Sequence, residues 1–128
     1  MPQGTVLVVD DDPVVQRLLR VNFEMEGFRV VVAADGVSGL EQVRLEAPDV
    51  VVLDVMMPGM DGLAVTAALR SEPATATVPV LLLSAKAQEP DIRAGEASGA
   101  DAYVTKPFDP LELVARVTSL VDGSRERG

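Results

Sequence analysis

Four consecutive large aliphatics, Val50-Val51-Val52-Leu53, end on a carboxylate, Asp54. A run with no polar alternation reads as a strand buried on both faces, as in a parallel sheet. Burying an unpaired charge is costly. In open α/β sheets, ligands bind just outside the carboxyl ends of the strands. Asp54 is therefore placed for chemistry rather than for stability.

The rest of the chain supports a parallel sheet. Strand-like runs are expected over Thr5–Val9, Phe28–Ala33, Val50–Leu53, Val78–Leu83 and Asp101–Val104. Helical segments are expected between and after them. Pro13 opens the first, along which Val14, Leu18, Val21 and Met25 repeat at helical spacing up to Gly27. The second runs from Gly36 to Ala47, with Val37, Leu40 and Val43 on one face. Asp61 is expected to cap the third, which runs to about Ser71. The fourth, Asp91–Ser98, is weakened by Gly95. The last, Leu111–Val121, sets Leu111, Val114, Val117 and Val121 on one face. Strict alternation of strand and helix argues for a parallel sheet with helices on both faces. Residues 1–121 are expected to form one domain, and 122–128 a polar, frayed tail or a truncated linker.

Composition removes whole classes of chemistry. The 128 residues include neither cysteine nor histidine. Disulfides, thiolate catalysis, histidine-based triads and imidazole metal ligands are excluded. Any metal must be held by oxygen, which favours magnesium, calcium or manganese. The formal net charge of −9 disfavours direct binding to nucleic acid or to an anionic membrane. No signal peptide or membrane-spanning segment is read at Met1-Pro2-Gln3-Gly4 or beyond it, and a cytoplasmic location is expected.

In a parallel sheet the strand ends share one edge, so Asp10-Asp11-Asp12, Asp54, Ser84 and the segment Lys106-Pro107-Phe108 converge. Converging carboxylates repel, and a hard divalent cation relieves the repulsion. A lysine and a hydroxyl beside that cation describe a site for a phosphoryl group, with Asp54 as nucleophile. Taken singly, these residues have plainer uses. Asp12 and Asp61 read better as helix caps than as ligands. Ser84 alone is more often a strand-end hydroxyl, and Lys106 alone a surface charge. Tyr103, the one tyrosine, could equally be a half-buried ring with its hydroxyl in water. Met56, Met57 and Met60 read as turn filling rather than as a soft-metal site.

With Val8-Val9-Asp10-Asp11, Leu53-Asp54, Met57-Pro58-Gly59-Met60-Asp61-Gly62, Leu83-Ser84-Ala85 and Lys106-Pro107-Phe108 in this order, the chain resembles a response-regulator receiver domain, the CheY-like phosphoacceptor of two-component signalling. The resemblance covers residues 5 to 121. It implies a flavodoxin-like (βα)5 fold with strand order 2-1-3-4-5. It also implies that Asp54 is the phosphoacceptor. Magnesium, or manganese, would be held by Asp11 and Asp54 with the backbone carbonyl of Met56, and by Asp10 through water. Ser84 and Lys106 would bind the phosphoryl oxygens, the Lys106–Pro107 bond would be cis, and Ser84 and Tyr103 would form the switch. The fourth helix, fifth strand and fifth helix would form the output surface. The donor would be a sensor histidine kinase or phosphotransfer protein, since this chain has no histidine. The recipient would be a downstream protein or a lost output domain. The domain would act as a monomer or as a phosphorylation-dependent dimer, catalysing only its own phosphorylation and dephosphorylation.

Three other classes compete. An aspartyl-phosphate phosphatase would carry Asp-x-Asp at the third strand end, where this chain has Met56. A nucleotide- or flavin-binding module would need a phosphate-cradling loop where three aspartates stand. A degenerate receiver used only for docking would not need the complete set of acids, hydroxyl and lysine.

Overall fold

The structure, a computed structural model, describes residues 4–127. The expectations for Met1–Gln3, and for Gly128 in the tail, fall outside the described residues. Five strands and five helices alternate: β1 (Gly4–Val9), α1 (Pro13–Met25), β2 (Phe28–Ala33), α2 (Gly36–Glu46), β3 (Val50–Asp54), α3 (Gly62–Ser71), β4 (Val80–Ser84), α4 (Glu89–Ala97), β5 (Ala102–Thr105) and α5 (Pro110–Arg127). All strand pairs are parallel, in the order β2-β1-β3-β4-β5. The central strands β3 and β4 are buried along their whole length, as unbroken aliphatic runs require. Asp54 is itself the last residue of β3 and pairs with Leu83.

Alternation along the strands divides the core in two. On one face Val6, Val8, Val50, Val52, Leu81 and Leu83 meet Leu19 and Phe23 of α1 and Leu113, Val114, Val117 and Val121 of α5. On the other, Leu7, Val9, Val51, Leu53, Val80 and Leu82 meet Leu40 and Val43 of α2 and Val65 and Leu69 of α3. The rings of Phe23 and Phe28 close the first core edge to face, with centroids 5.9 Å apart.

Four of the helices begin on an aspartate. Asp12 accepts from the Val14 amide, Asp35 from Ser38, Asp61 from Ala64 and Asp109 from Leu111. Each satisfies an amide that the first turn leaves without a helical partner. Only α4 departs: its cap position, Gln88, makes no side-chain bond.

Three sequence expectations change. The last helix does not stop at Val121, because α5 continues to Arg127. The spaced apolar residues of α1 are not its core face. Val14 is 74% and Met25 79% exposed, with Leu18 and Val21 also exposed, while Leu19 and Phe23 are buried with Val15 packed beside them. The helix carries two apolar stripes, and the one with the bulkier ring fills the space under the sheet. In the same way Val37 and Leu111 lie in solvent although their stripe partners are buried.

Candidate functional site

The carboxyl edge of the sheet gathers the candidate residues. Asp10 follows β1 directly and is 1% exposed; Asp54 is 4% exposed. Asp11, the next residue in the loop, is exposed. Carboxylate oxygens of Asp10, Asp11 and Asp54 all lie within 4.8 Å of one another. The Lys106 ammonium comes from the loop after β5 and sits 3.2 Å from Asp10 Oδ2 and 3.6 Å from Asp54 Oδ2. The Lys106–Pro107 peptide is cis. Backbone geometry holds the acids in place. The Asp12 amide donates to Asp10 Oδ1 at 2.9 Å, and the Met56 amide to Asp54 Oδ1 at 3.1 Å. Gln16, one turn into α1, donates its side-chain amide to the Asp10 carbonyl.

Burial pushes the Asp54 carboxyl above its ordinary value, and the Asp10 charge adds to the effect. The Met56 amide and the Lys106 ammonium act in the opposite direction, and Asp11 raises it again. One ammonium thus stands against three clustered carboxylates. A hard divalent cation fits this donor set: all oxygen, two buried acids and one open to water.

Ser84 ends β4 fully buried, and its hydroxyl oxygen accepts the Lys86 amide at 3.1 Å. The neighbouring Lys106 amide donates to the Ser84 carbonyl at 2.8 Å, tying β5 to the same edge. Tyr103 lies half-buried on β5, and its hydroxyl donates to the Lys86 carbonyl at 2.8 Å. The backbone of Lys86 therefore links Ser84 to Tyr103. Met56 keeps half of its surface in solvent beside Asp54, while Met57 is buried in the second core.

Asp12 and Asp61 serve as caps. Sequence reasoning did not single out Gln16, or Arg70 at the end of α3. Arg70 donates to the carbonyls of Gly99, Ala76 and Val78 and pairs with Asp101 at 2.9 Å. Asp101 in turn accepts the Val80 amide at 2.8 Å. The sequence signal was weak: one arginine at a helix end, a position where a cation is ordinarily read as favouring the helix dipole.

Comparison with known proteins converges on the same architecture. The family model described as "Response regulator receiver domain" matches residues 6–118. The chain is 45% identical over 119 residues to the transcriptional regulatory protein CseB of Streptomyces coelicolor, covering 93% of this chain and 50% of that one. It is 47% identical over 112 residues to the DNA-binding response regulator MtrA of Mycolicibacterium smegmatis, covering 88% and 48%. It spans about half the length of these relatives. Among solved structures, the Francisella response regulator 1452 receiver domain superposes with a TM-score of 0.89 at 36% identity, covering 94% of this chain and 98% of that one. Vibrio cholerae chemotaxis protein CheY4 gives a TM-score of 0.86 at 29% identity, covering 91% and 98%. With the order β2-β1-β3-β4-β5 and a family match along nearly its whole length, this chain belongs to the response regulator receiver domains of two-component systems.

Proposed function

We propose that this domain is a phosphorylation-controlled switch that takes a phosphoryl group on Asp54. The observation that carries the reading is the clustering of Asp10, Asp11 and Asp54 within 4.8 Å around one lysine, at the carboxyl edge of a parallel sheet. A carboxylate oxygen of Asp54 attacks phosphorus, the bond from phosphorus to the donor imidazole breaks, and the imidazole leaves with the bonding pair and takes up a proton. Lys106 neutralises phosphoryl oxygen charge, and the Ser84 hydroxyl donates to a phosphoryl oxygen. Asp10, Asp11 and Asp54, with the Met56 carbonyl, would hold magnesium, or manganese in its place. When bound, that ion offsets the carboxylate charge and the charge developing on the phosphoryl oxygens.

The donor is a histidine kinase or phosphotransfer protein. The exposed apolar strip Val14, Leu18 and Val21 on α1, which begins beside the acidic loop, supports contact with a protein partner at this edge. The relatives include DNA-binding and transcriptional regulators twice as long as this chain. On that basis the switch acts on an output domain or a separate target protein. Ser84 and Tyr103, joined through Lys86, carry the change from the phosphoryl site to the surface of α4, β5 and α5. Among the described residues no helix is long and apolar enough to cross a membrane.

The test is incubation with magnesium and acetyl phosphate, read by intact mass. Native protein is expected to gain one phosphoryl group, and Asp54→Asn none. A native protein that takes up no phosphoryl group defeats the reading. Turnover of several phosphomonoesters would instead establish a phosphatase.

A further inference from the structure

Helix α4 packs in an unusual way. Gly95 is its only buried residue. A Cβ at that position would lie 2.6 Å from Cδ2 and 3.0 Å from Cε2 of Tyr103, and 3.2 Å from a Leu82 methyl. Real Cβ atoms essentially never approach within 3.0 Å, so the helix backbone rests directly on the tyrosine ring. Backbone conformation does not call for a glycine here, because Gly95 is not among the residues with positive φ. Within a helix, glycine costs roughly 0.8–1.0 kcal/mol relative to alanine. What the missing side chain does provide is room for the ring.

The two ends of α4 are held differently. At its C-terminal end, Gly99 adopts a φ of +102° and its carbonyl accepts from Arg70 Nε at 2.9 Å. Arg70 is itself tied to Asp101 at the start of β5. At the N-terminal end, Gln88 contributes no side-chain cap, and residues from Ala85 to Pro90 are exposed. The helix is tied by Arg70 at Gly99, lacks a side-chain cap at Gln88, and is supported in between by the Tyr103 ring.

We propose that Gly95 is a positioning residue of the switch. Because it has no side chain, the height of α4 over the sheet is set by the Tyr103 ring. A change of Tyr103 rotamer and a tilt of α4 about the Arg70–Gly99 anchor are then one event. The role of this coupling in signalling rests on the phosphoryl-switch reading above; the coupling itself belongs to the resting domain and can be measured there.

The experiment compares native protein, Gly95→Ala, Tyr103→Leu and the double variant. Tyr103 is the only tyrosine in a chain without tryptophan, so its emission reports one site. Without any phosphoryl donor, Gly95→Ala is expected to raise iodide quenching of Tyr103 several-fold. It is also expected to speed amide exchange of α4 about tenfold, a local effect of the kind exchange resolves. With Tyr103→Leu already present, Gly95→Ala is expected to add almost nothing, since non-additivity marks residues in contact. Unchanged quenching in Gly95→Ala, or fully additive effects in the double variant, overturns the proposal. Should Gly95→Ala not fold, Tyr103→Leu alone decides: faster exchange along α4 supports the coupling, and exchange identical to native overturns it. A magnesium and beryllofluoride titration of native protein completes the set. A silent Tyr103 there defeats the switch reading, while the resting-state comparison still reports on the coupling.

Discussion

Two helices flank the edge strand β5, one on each face of the sheet, and they are held by different physics. Helix α5 buries Leu113, Val114, Val117 and Val121 in the first core. Each such side chain contributes roughly 1.5–3 kcal/mol when fully buried. Helix α4 buries a glycine and lacks a side-chain cap. Its anchor is a set of polar contacts from Arg70, and its support is one aromatic ring. Apolar burial therefore holds α5 more firmly than α4, although both faces of the sheet carry a buried core. Freedom to move is expected at α4, which lies next to Ser84, Lys86 and Tyr103. A switch needs such an element, because parts that move are drawn from the least stable end of a structure.

The largest test of this contrast is in the α5 core. Leu113 is 1% exposed, and Leu113→Ala is expected to cost about 2–5 kcal/mol in denaturant unfolding. Ile92 on α4 is only half-buried, and Ile92→Ala is expected to cost less than about 1 kcal/mol. Equal losses would remove the contrast. Next comes the anchor. Arg70→Met leaves the carbonyls of Ala76, Val78 and Gly99 without this donor, for an expected loss of about 1–3 kcal/mol. Amide exchange at the C-terminal end of α4 should rise with it; exchange that stays at the native rate would show that the anchor lies elsewhere.

A smaller change should act in the other direction. Gln88→Asp supplies α4 with the kind of cap that the other helices have, and is expected to slow its amide exchange by an amount corresponding to about 0.5–1 kcal/mol. An α4 already as protected as α5 would show no such gain. The smallest effect is one of pH. The Ser38 amide, and then its hydroxyl, hold the Asp35 carboxyl below its ordinary value of 3.8. The contribution of that cap is complete above pH 3.8 and fades as acid protonates the folded carboxylate. In acid titrations followed by circular dichroism, Asp35→Asn should flatten this part of the profile, and an identical profile would remove the cap from the account.

The site was legible because its residues are fixed by position at strand ends. A run such as Val50–Leu53 announces a buried strand, and the residue closing it must lie at the carboxyl edge. Asp10, Asp54 and Lys106 could be paired without coordinates once the sheet was read as parallel, and the two ion pairs of Lys106 follow from that edge. Asp12 and Asp61 were separable from them because a cap precedes a helix at a set offset. Arg70 was not legible. Two of its partners, Gly99 and Asp101, lie 29 and 31 residues further along the chain, and no local spacing marks a side chain that bonds carbonyls across a corner. Gly95 was visible only as a residue that weakens a helix; its use depends on a ring eight residues further on that reaches it through the fold.

By itself, then, the sequence determined the alternation of elements, the parallel sheet and the acids and lysine at its edge. These follow from local periodicity and chain direction, which act over a few residues. The tertiary structure alone decided which stripe of α1 is buried, since Val14, Leu18, Val21 and Met25 match helical spacing as well as Leu19 and Phe23 do. It also decided that α5 runs to Arg127 and that α4 rests on Tyr103. The reason is common to α1 and α4. Periodicity says that a face is apolar, but only the volume left by distant residues says which face fits.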